Sequence, residues 1–260
     1  MGADLQSESR FGQPAGVTVE ASAHAGPALV TDPAADPAAA LAEGLERIGL
    51  ALSAQQQTRL LDYLRLLQKW NKVYNLTAVR EPGQMLVRHV LDSLAALPPV
   101  RARMAGLQQT LAGLRGGRRP SVADVGTGGG LPGIPWAIAC PEWNLTLIDT
   151  VQKKTAFLIQ VKAALQLENV TVHAGRVESL QVAGDGYDMV TSRAFAELAD
   201  MVALAGHLLA AGGVMAALKA REPQAEIGRL PAGWDAQGVE ALAVPGLDEE
   251  RNLVWVGRAA

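Results

Sequence analysis

Residues 124–133 read Asp-Val-Gly-Thr-Gly-Gly-Gly-Leu-Pro-Gly, and the next apolar run, 145–148, ends on Asp149. Val122, Ala123 and Val125 predict a short buried strand. Gly126, Gly128, Gly129 and Gly130 then allow a sharp bend and a close approach of backbone to a ligand. A helix is expected over 131–139, its first N–H groups facing that ligand. A strand, a glycine loop, a helix and a carboxylate about twenty residues on form the pattern of a nucleoside pocket.

Two cofactors compete for such a pocket. Gly128, Gly130 and Gly133 satisfy the dinucleotide spacing G-x-G-x-x-G, a weak signal alone. Against it, Asp124 sits two residues before the first glycine. A carboxylate there is awkward beside a pyrophosphate but useful beside a cation such as S-adenosylmethionine. Pro132 and Pro135 also remove N–H donors where a pyrophosphate would want them. The balance favours S-adenosylmethionine, with Asp124, Gly126, Gly128 and Asp149 as cofactor contacts and S-adenosylhomocysteine as product.

The chain has 260 residues, of which 49% are hydrophobic and 19% charged, enough for a substantial core. The single cysteine, Cys140, excludes an internal disulfide and fits a cytoplasmic location. It reads as a small buried group rather than a nucleophile. The four histidines, His24, His89, His173 and His207, lack metal-ligand spacing, so no metal is expected. Neither a membrane span nor a signal peptide is expected. The net charge of −3 conceals an asymmetry: residues 47–123 carry twelve bases and three acids, while the flanking segments are acidic. A basic segment in an acidic chain suggests a polyanionic partner. Arg88, Arg101, Arg103, Arg115, Arg118 and Arg119, with Lys219 at a later strand end, are the candidate contacts to that polyanion.

Residues 1–40 are expected as a disordered tail. Residues 41–99 are expected to be helical. Ser53 is a candidate N-cap for a long helix through Lys72, with Leu60, Leu64 and Leu67 on its buried stripe. Pro82 opens the next helix, which should stop at Pro98-Pro99. A basic connection, 100–120, with a candidate short helix over 104–114, should lead to the main domain, 121–260. There, strands are expected at 121–125, 145–149, 170–173, 188–192 and 213–218, with a final pair near 238–244 and 252–257. Alternation with helices predicts an α/β fold: a mostly parallel, doubly wound, Rossmann-like sheet with an antiparallel edge pair.

Ligands in such a sheet sit beyond the C-terminal strand ends. Those ends carry Asp124, Asp149, Arg176-Val177-Glu178, Ser192-Arg193 and Lys219. The fourth end lacks the Asn/Asp-Pro-Pro-aromatic motif of amino-group methylators, and Cys140 lies elsewhere than a pyrimidine-methylating cysteine would. What remains suits a nucleophile that needs no deprotonation, such as guanine N7, whose lone pair can attack the sulfonium methyl directly, with catalysis mostly in-line positioning. Arg193 has two candidate roles, bonding guanine O6 or holding the methionine carboxylate. An inert RNA-binding protein, a small-molecule methyltransferase and a nicotinamide oxidoreductase are the rival readings.

With these residues in view, the chain resembles the small-subunit ribosomal RNA guanine-N7 methyltransferase G family, also called glucose-inhibited division protein B. The resemblance covers about residues 45–260. It rests on Trp70-Asn71-Lys72-Val73-Tyr74-Asn75-Leu76-Thr77, Arg88-His89-Val90-Leu91-Asp92-Ser93, residues 124–135, Leu147-Ile148-Asp149, Arg176-Val177-Glu178, Ser192-Arg193-Ala194-Phe195 and Ala217-Leu218-Lys219. It implies a class I S-adenosylmethionine-dependent methyltransferase acting on 16S ribosomal RNA or the small ribosomal subunit, expected as a monomer. It further implies cofactor contacts at Gly126, Leu131, Val177, Glu178 and Arg193. Asn75, His89, Asp92 and Ser93 would border the cleft, with Arg193, Asn75 and His89 positioning the reactants. The N-terminal tail and the length of the Arg-rich connection depart from the family pattern. Trp70 and Tyr74 read as packing residues, with stacking on a base as the alternative.

Overall fold

The computed structural model describes residues 26–110, 117–182, 184–193, 197–220 and 223–259. The tail before residue 26, Arg115 and the Ala194-Phe195 part of the fourth-strand motif lie outside the described residues.

Two helices open the described chain. In α1 (Pro37–Ile48) the Asp36 side chain accepts from Ala38 N and Ala39 N. In α2 (Ala54–Tyr74) Ser53 and Gln56 form a reciprocal capping box, so the expected N-cap is found with its partner. Leu60, Tyr63, Leu64 and Leu67 form the buried stripe of α2. The expectation of a disordered tail to residue 40 fails over 26–40. Gly26 N donates to Leu247 O, Gly246 N to Pro27 O, and the Glu43 carboxylate accepts from Val30 N and Thr31 N. Ala/Pro-rich composition hid this because the partners are distant backbone groups and a carboxylate on the next helix.

Next come α3 (Pro82–Met85), a π-helical turn (Leu86–Leu91) and α4 (Asp92–Ala95). A π turn inserts a residue into the helical ladder and rotates the residues after it. The helix ends at Ala95, three residues before Pro98-Pro99, where it was expected to stop. A new helix, α5 (Leu97–Thr110), begins there, with both prolines in its first turn, where their missing N–H groups cost nothing. It occupies the first half of the stretch expected as a connection.

The remainder alternates: β1 (Ser121–Val125), α6 (Gly133–Ala139), β2 (Asn144–Asp149), α7 (Gln152–Ala164), β3 (Val170–Ala174), a 3-10 turn (Val177–Ser179), β4 (Tyr187–Arg193), α8 (Leu198–Ala205), β5 (Leu209–Lys219), α9 (Gln224–Ile227), β6 (Trp234–Ala241) and β7 (Asn252–Arg258). The sheet runs β3-β2-β1-β4-β5-β7-β6. The first five strands are parallel; β7 is antiparallel to both β5 and β6. The antiparallel pair is thus where expected, but the last strand slots inside and leaves β6 as the edge. One hydrophobic core joins Leu41, Leu60, Leu67 and Leu91 of the helices to Leu147, Phe157, Leu218 and Leu253 of the sheet unit. The helical segment and the sheet therefore stabilise each other. No helix among the described residues is long and apolar enough to cross a membrane.

Candidate functional site

The glycine loop connects β1 to α6 and is locked from three sides. Gly126 N and Thr127 N donate to Ile148 O, while Gly130 N and Leu131 N donate to Thr127 O. Gly128 N donates to Asp149 Oδ2 at 2.9 Å. Tyr63 of α2 donates its hydroxyl to Gly129 O at 2.7 Å. Gly130 has φ +88°, and a Cβ there would stand 2.5 Å from Ile134 Cγ1. A Cβ at Gly133 would stand 2.2 Å from Leu147 Cδ2, so glycine lets the helix close onto the sheet.

Asp124 departs from expectation. Its side chain is fully buried behind the loop, where Oδ2 accepts from Thr127 Oγ1 at 2.6 Å and Gly133 N at 2.8 Å. It braces the loop and takes up the first N–H of α6, which was expected to face the ligand. Burial pushes its pKa up to about 7, against the pull of those two hydrogen bonds. Its Oδ1 has no hydrogen-bond partner among the described residues.

Two hollows flank the loop. The larger, about 400 Å³, is lined by the loop residues Gly126–Gly129, by Leu67, Leu76 and Thr77, and by Leu131, Asp92, Lys154, Arg193, Lys219 and Arg251. The second, about 320 Å³, is bordered by Asp149, Gly175, Val177 and Glu178. Gly126 and Lys154 border both, so the hollows meet across the loop. The structure thus brings Gly126, Gly128, Leu131, Asp149, Val177, Glu178, Arg193 and Lys219 to one place. Asp149 Oδ1 accepts from Val151 N at 2.9 Å, and Lys154 Nζ lies 3.6 Å from Oδ2. Lys219 pairs with Glu226 at 2.7 Å.

Arg193 at the end of β4 donates to Asp92 Oδ2 and to Arg88 O, each at 2.7 Å. Arg251, which the sequence reading missed, donates from Nε to Asp92 Oδ1 at 2.8 Å. Asp92 is therefore a buried carboxylate clamped between two guanidinium groups. Glu249 extends the chain, accepting from Arg251 and from Arg88. The π turn carries Arg88 and His89, and Asp92 follows it directly.

His89 is buried beneath Thr77. Its Nδ1 lies 2.9 Å from Arg88 O, a pure acceptor, so Nδ1 carries the proton and Nε2 accepts from Thr77 Oγ1 at 2.8 Å. Burial and then the charge of Arg193 lower its pKa to about 4. His89 is a neutral prop for Thr77. Asn75, the left-handed C-cap of α2, is exposed and accepts from Arg80, outside the cleft lining. Asn71 does the local shaping, accepting from Thr77 N and donating to Val79 O. Ser93 is fully buried; its hydroxyl donates to His89 O and its carbonyl accepts from Trp136 Nε1.

Among the described residues of the basic connection, Arg101, Arg103, Arg118 and Arg119 do not line the cleft. Arg101 donates to Ala139 O and Cys140 Sγ. Arg103 donates to Gln237 and lies over the Trp255 ring. Arg118 is paired with Asp188 at 2.8 Å, at the N-terminal ends of β1 and β4, opposite the cleft, and the exposed Arg119 is next in the chain. Proximity in sequence suggested a patch; the fold gives Arg101, Arg103 and Arg118 internal partners. Burial pushes the Cys140 thiol up to about 11, consistent with an inert packing group.

The family model for rRNA small subunit methyltransferase G matches residues 56–254. A ribosomal RNA small subunit methyltransferase G from Ralstonia nicotianae is 52% identical over 226 residues, covering 87% of this chain and 97% of its own. Proteins of the same name from Cupriavidus metallidurans and Burkholderia thailandensis are 50% and 51% identical, each covering 84% of this chain and 92% and 90% of their own.

Proposed function

This chain belongs to the rRNA small subunit methyltransferase G family, and from that premise we propose that it transfers the methyl group of S-adenosylmethionine to N7 of a guanine in 16S ribosomal RNA. The carrying observation is the pair of hollows meeting at Gly126 at the C-terminal strand ends, one with Asp149 and one with Arg193.

The residues fit an elongated cationic nucleoside. A Cβ at Gly130 would push into Ile134, so the loop keeps its tight path only as glycine. The loop amides at Gly126, Thr127, Gly130 and Leu131 are bonded to backbone carbonyls, which weakens the case for a pyrophosphate ligand. Asp149 retains lone pairs for ribose hydroxyls, and Val177 and Glu178 suit the adenine. When bound, the cofactor supplies an electrophilic sulfonium methyl.

Guanine N7 offers a lone pair that bears no proton. The transfer forms an N–C bond, breaks the S–C bond and moves the positive charge onto the purine. No side chain has to take a proton. His89, neutral and turned toward Thr77, supports this reading. Asp92, with both oxygens engaged by arginine, holds Arg193 in the cleft wall rather than acting as a base. Arg193 retains N–H donors for guanine O6 or the methionine carboxylate. Arg88, whose carbonyl accepts from Arg193, and Lys219, which lines the larger hollow, are the members of the basic set nearest the cleft. Cytoplasmic ribosomal particles or their RNA are the proposed partner.

The test is mass mapping of methylated nucleosides in small-subunit RNA from cells with and without this gene. A 7-methylguanosine should disappear with the gene and return when purified protein and S-adenosylmethionine are added. Identical maps would overturn the reading.

A further inference from the structure

A file of aromatic rings leads from the glycine loop to the molecular surface. Tyr63, whose hydroxyl holds Gly129 O, stands 6.5 Å from Phe157 between ring centroids. Phe157 is 5.5 Å from Trp70, and Trp70 is 4.9 Å from Tyr74. Phe157 is wholly buried; Tyr74, in the last turn of α2, is 42% exposed, and its neighbour Val73 is 68% exposed. A single exposed apolar side chain is ordinary. The surroundings of this one are not. Residues 65–80 contain four bases and no acid, and Lys69, Lys72 and Arg80 are exposed. Two residues past Tyr74 the chain enters the cleft wall at Leu76 and Thr77. Arg80 donates to Asn75 Oδ1 at 3.0 Å and so fixes the turn between the exposed ring and the cleft.

We propose that Tyr74 is the stacking platform for an unpaired nucleobase of the substrate RNA next to the target guanosine, with Lys69, Lys72 and Arg80 meeting the flanking phosphates. The inference rests on the RNA-methyltransferase reading above. Every base presents a π face, so stacking on an aromatic ring tolerates any sequence but requires an unstacked strand. A base on Tyr74 would add the next ring to a file already braced by Trp70 and Phe157. The preorganised platform would then set the strand's direction into the cleft. The cations of the α2 tip thereby take the role that the sequence had suggested for the arginines of 101–119.

The probe is unmethylated small-subunit RNA from a strain lacking this gene. Tyr74→Ala should raise its Kd and the RNA KM about tenfold, the ordinary loss of one base stack, while Tyr74→Phe stays near wild type. Lys72→Glu should weaken binding and flatten its salt dependence by about one counterion. Calorimetric affinity for S-adenosylhomocysteine should be unchanged in all three, since the ring is at the surface. Wild-type RNA binding by Tyr74→Ala would overturn the proposal, as would an equal loss of S-adenosylhomocysteine affinity, which would mark the ring as structural. If the wild-type protein itself fails to methylate this RNA, the parent reading fails instead, and the platform goes with it.

Discussion

Replacing Asp92 by asparagine tests whether the clamp on Arg193 sets the geometry of the cleft. The carboxylate is buried, with Arg193 Nη1 at 2.7 Å and Arg251 Nε at 2.8 Å. Asparagine keeps the shape and one acceptor oxygen but removes the charge. One of the two charge-assisted bonds is lost, worth about 1.5–3 kcal/mol, and the survivor is weakened by roughly half. Breaking a buried ion pair costs about 3–5 kcal/mol, but the two guanidinium groups keep 19% and 15% of their exposure and so recover some hydration. The expected destabilisation is about 2–3 kcal/mol, or a fall in Tm of about 4–12 °C for a chain of this size. Arg193 should also lose its fixed direction, lowering kcat/KM for methyl transfer about tenfold or more. Circular-dichroism melting and steady-state methylation read the two effects separately. An asparagine variant with wild-type Tm and wild-type kcat/KM would refute the clamp.

Three further outcomes are expected. Asp149→Ala should weaken S-adenosylmethionine binding by about 1–3 kcal/mol through unmatched hydrogen-bond partners, including Gly128 N; unchanged calorimetric affinity would remove Asp149 from the site. Tyr63→Phe leaves Gly129 O without its donor inside the core and should cost about 1–3 kcal/mol, read as reduced stability together with weaker cofactor affinity; a silent substitution would dissociate α2 from the loop. His89 titrates near 4 when folded, below its ordinary 6.5, so the unfolded chain binds more protons between those values. Its contribution is complete above pH 6.5 and is lost as pH falls through 4, by about 3 kcal/mol in all. Urea unfolding at pH 7.5 and pH 4 should show that loss in the wild type and a correspondingly smaller one in His89→Gln; equal losses would contradict a buried neutral imidazole.

The features legible in the sequence were those written locally. Strand, glycine loop and Asp149 lie within thirty residues and announce themselves through period, φ requirement and spacing. The Ser53 cap and the α2 stripe are local too. Arg251 and Asp92 are separated by 159 positions, and nothing in either neighbourhood marks the pair. The partners of the basic run 101–119 were hidden for the complementary reason: charge was counted along the chain, whereas Arg118 meets Asp188, 70 residues away, and Arg101 meets Ala139 O, 38 away. The π turn escaped because its apolar period is nearly that of an α-helix. Asp124 was singled out as a cofactor contact for its odd position before the glycines, but facing cannot be read from spacing. Its carboxylate turns inward and spends itself on Thr127 and Gly133.

The division of labour in the cleft follows from where its walls originate. The loop, Asp149 and the Val177-Glu178 turn are strand-end features of the sheet, and such features serve many reactions on one fold. Leu67, Leu76, Thr77 and Asp92 come from the helical segment, and Arg251 from the connection into β7. These two sources meet at one carboxylate, which aims the β4 arginine. A glycine-loop signature can therefore indicate a cofactor class and no more. The choice of acceptor is built from residues outside it, held against it by a shared core in which Tyr63 and Leu67 reach the loop itself. Because the same helix carries Tyr74 at its far end, displacement of α2 along its axis would disturb RNA docking and the loop together, coupling the two substrates through a single rigid element.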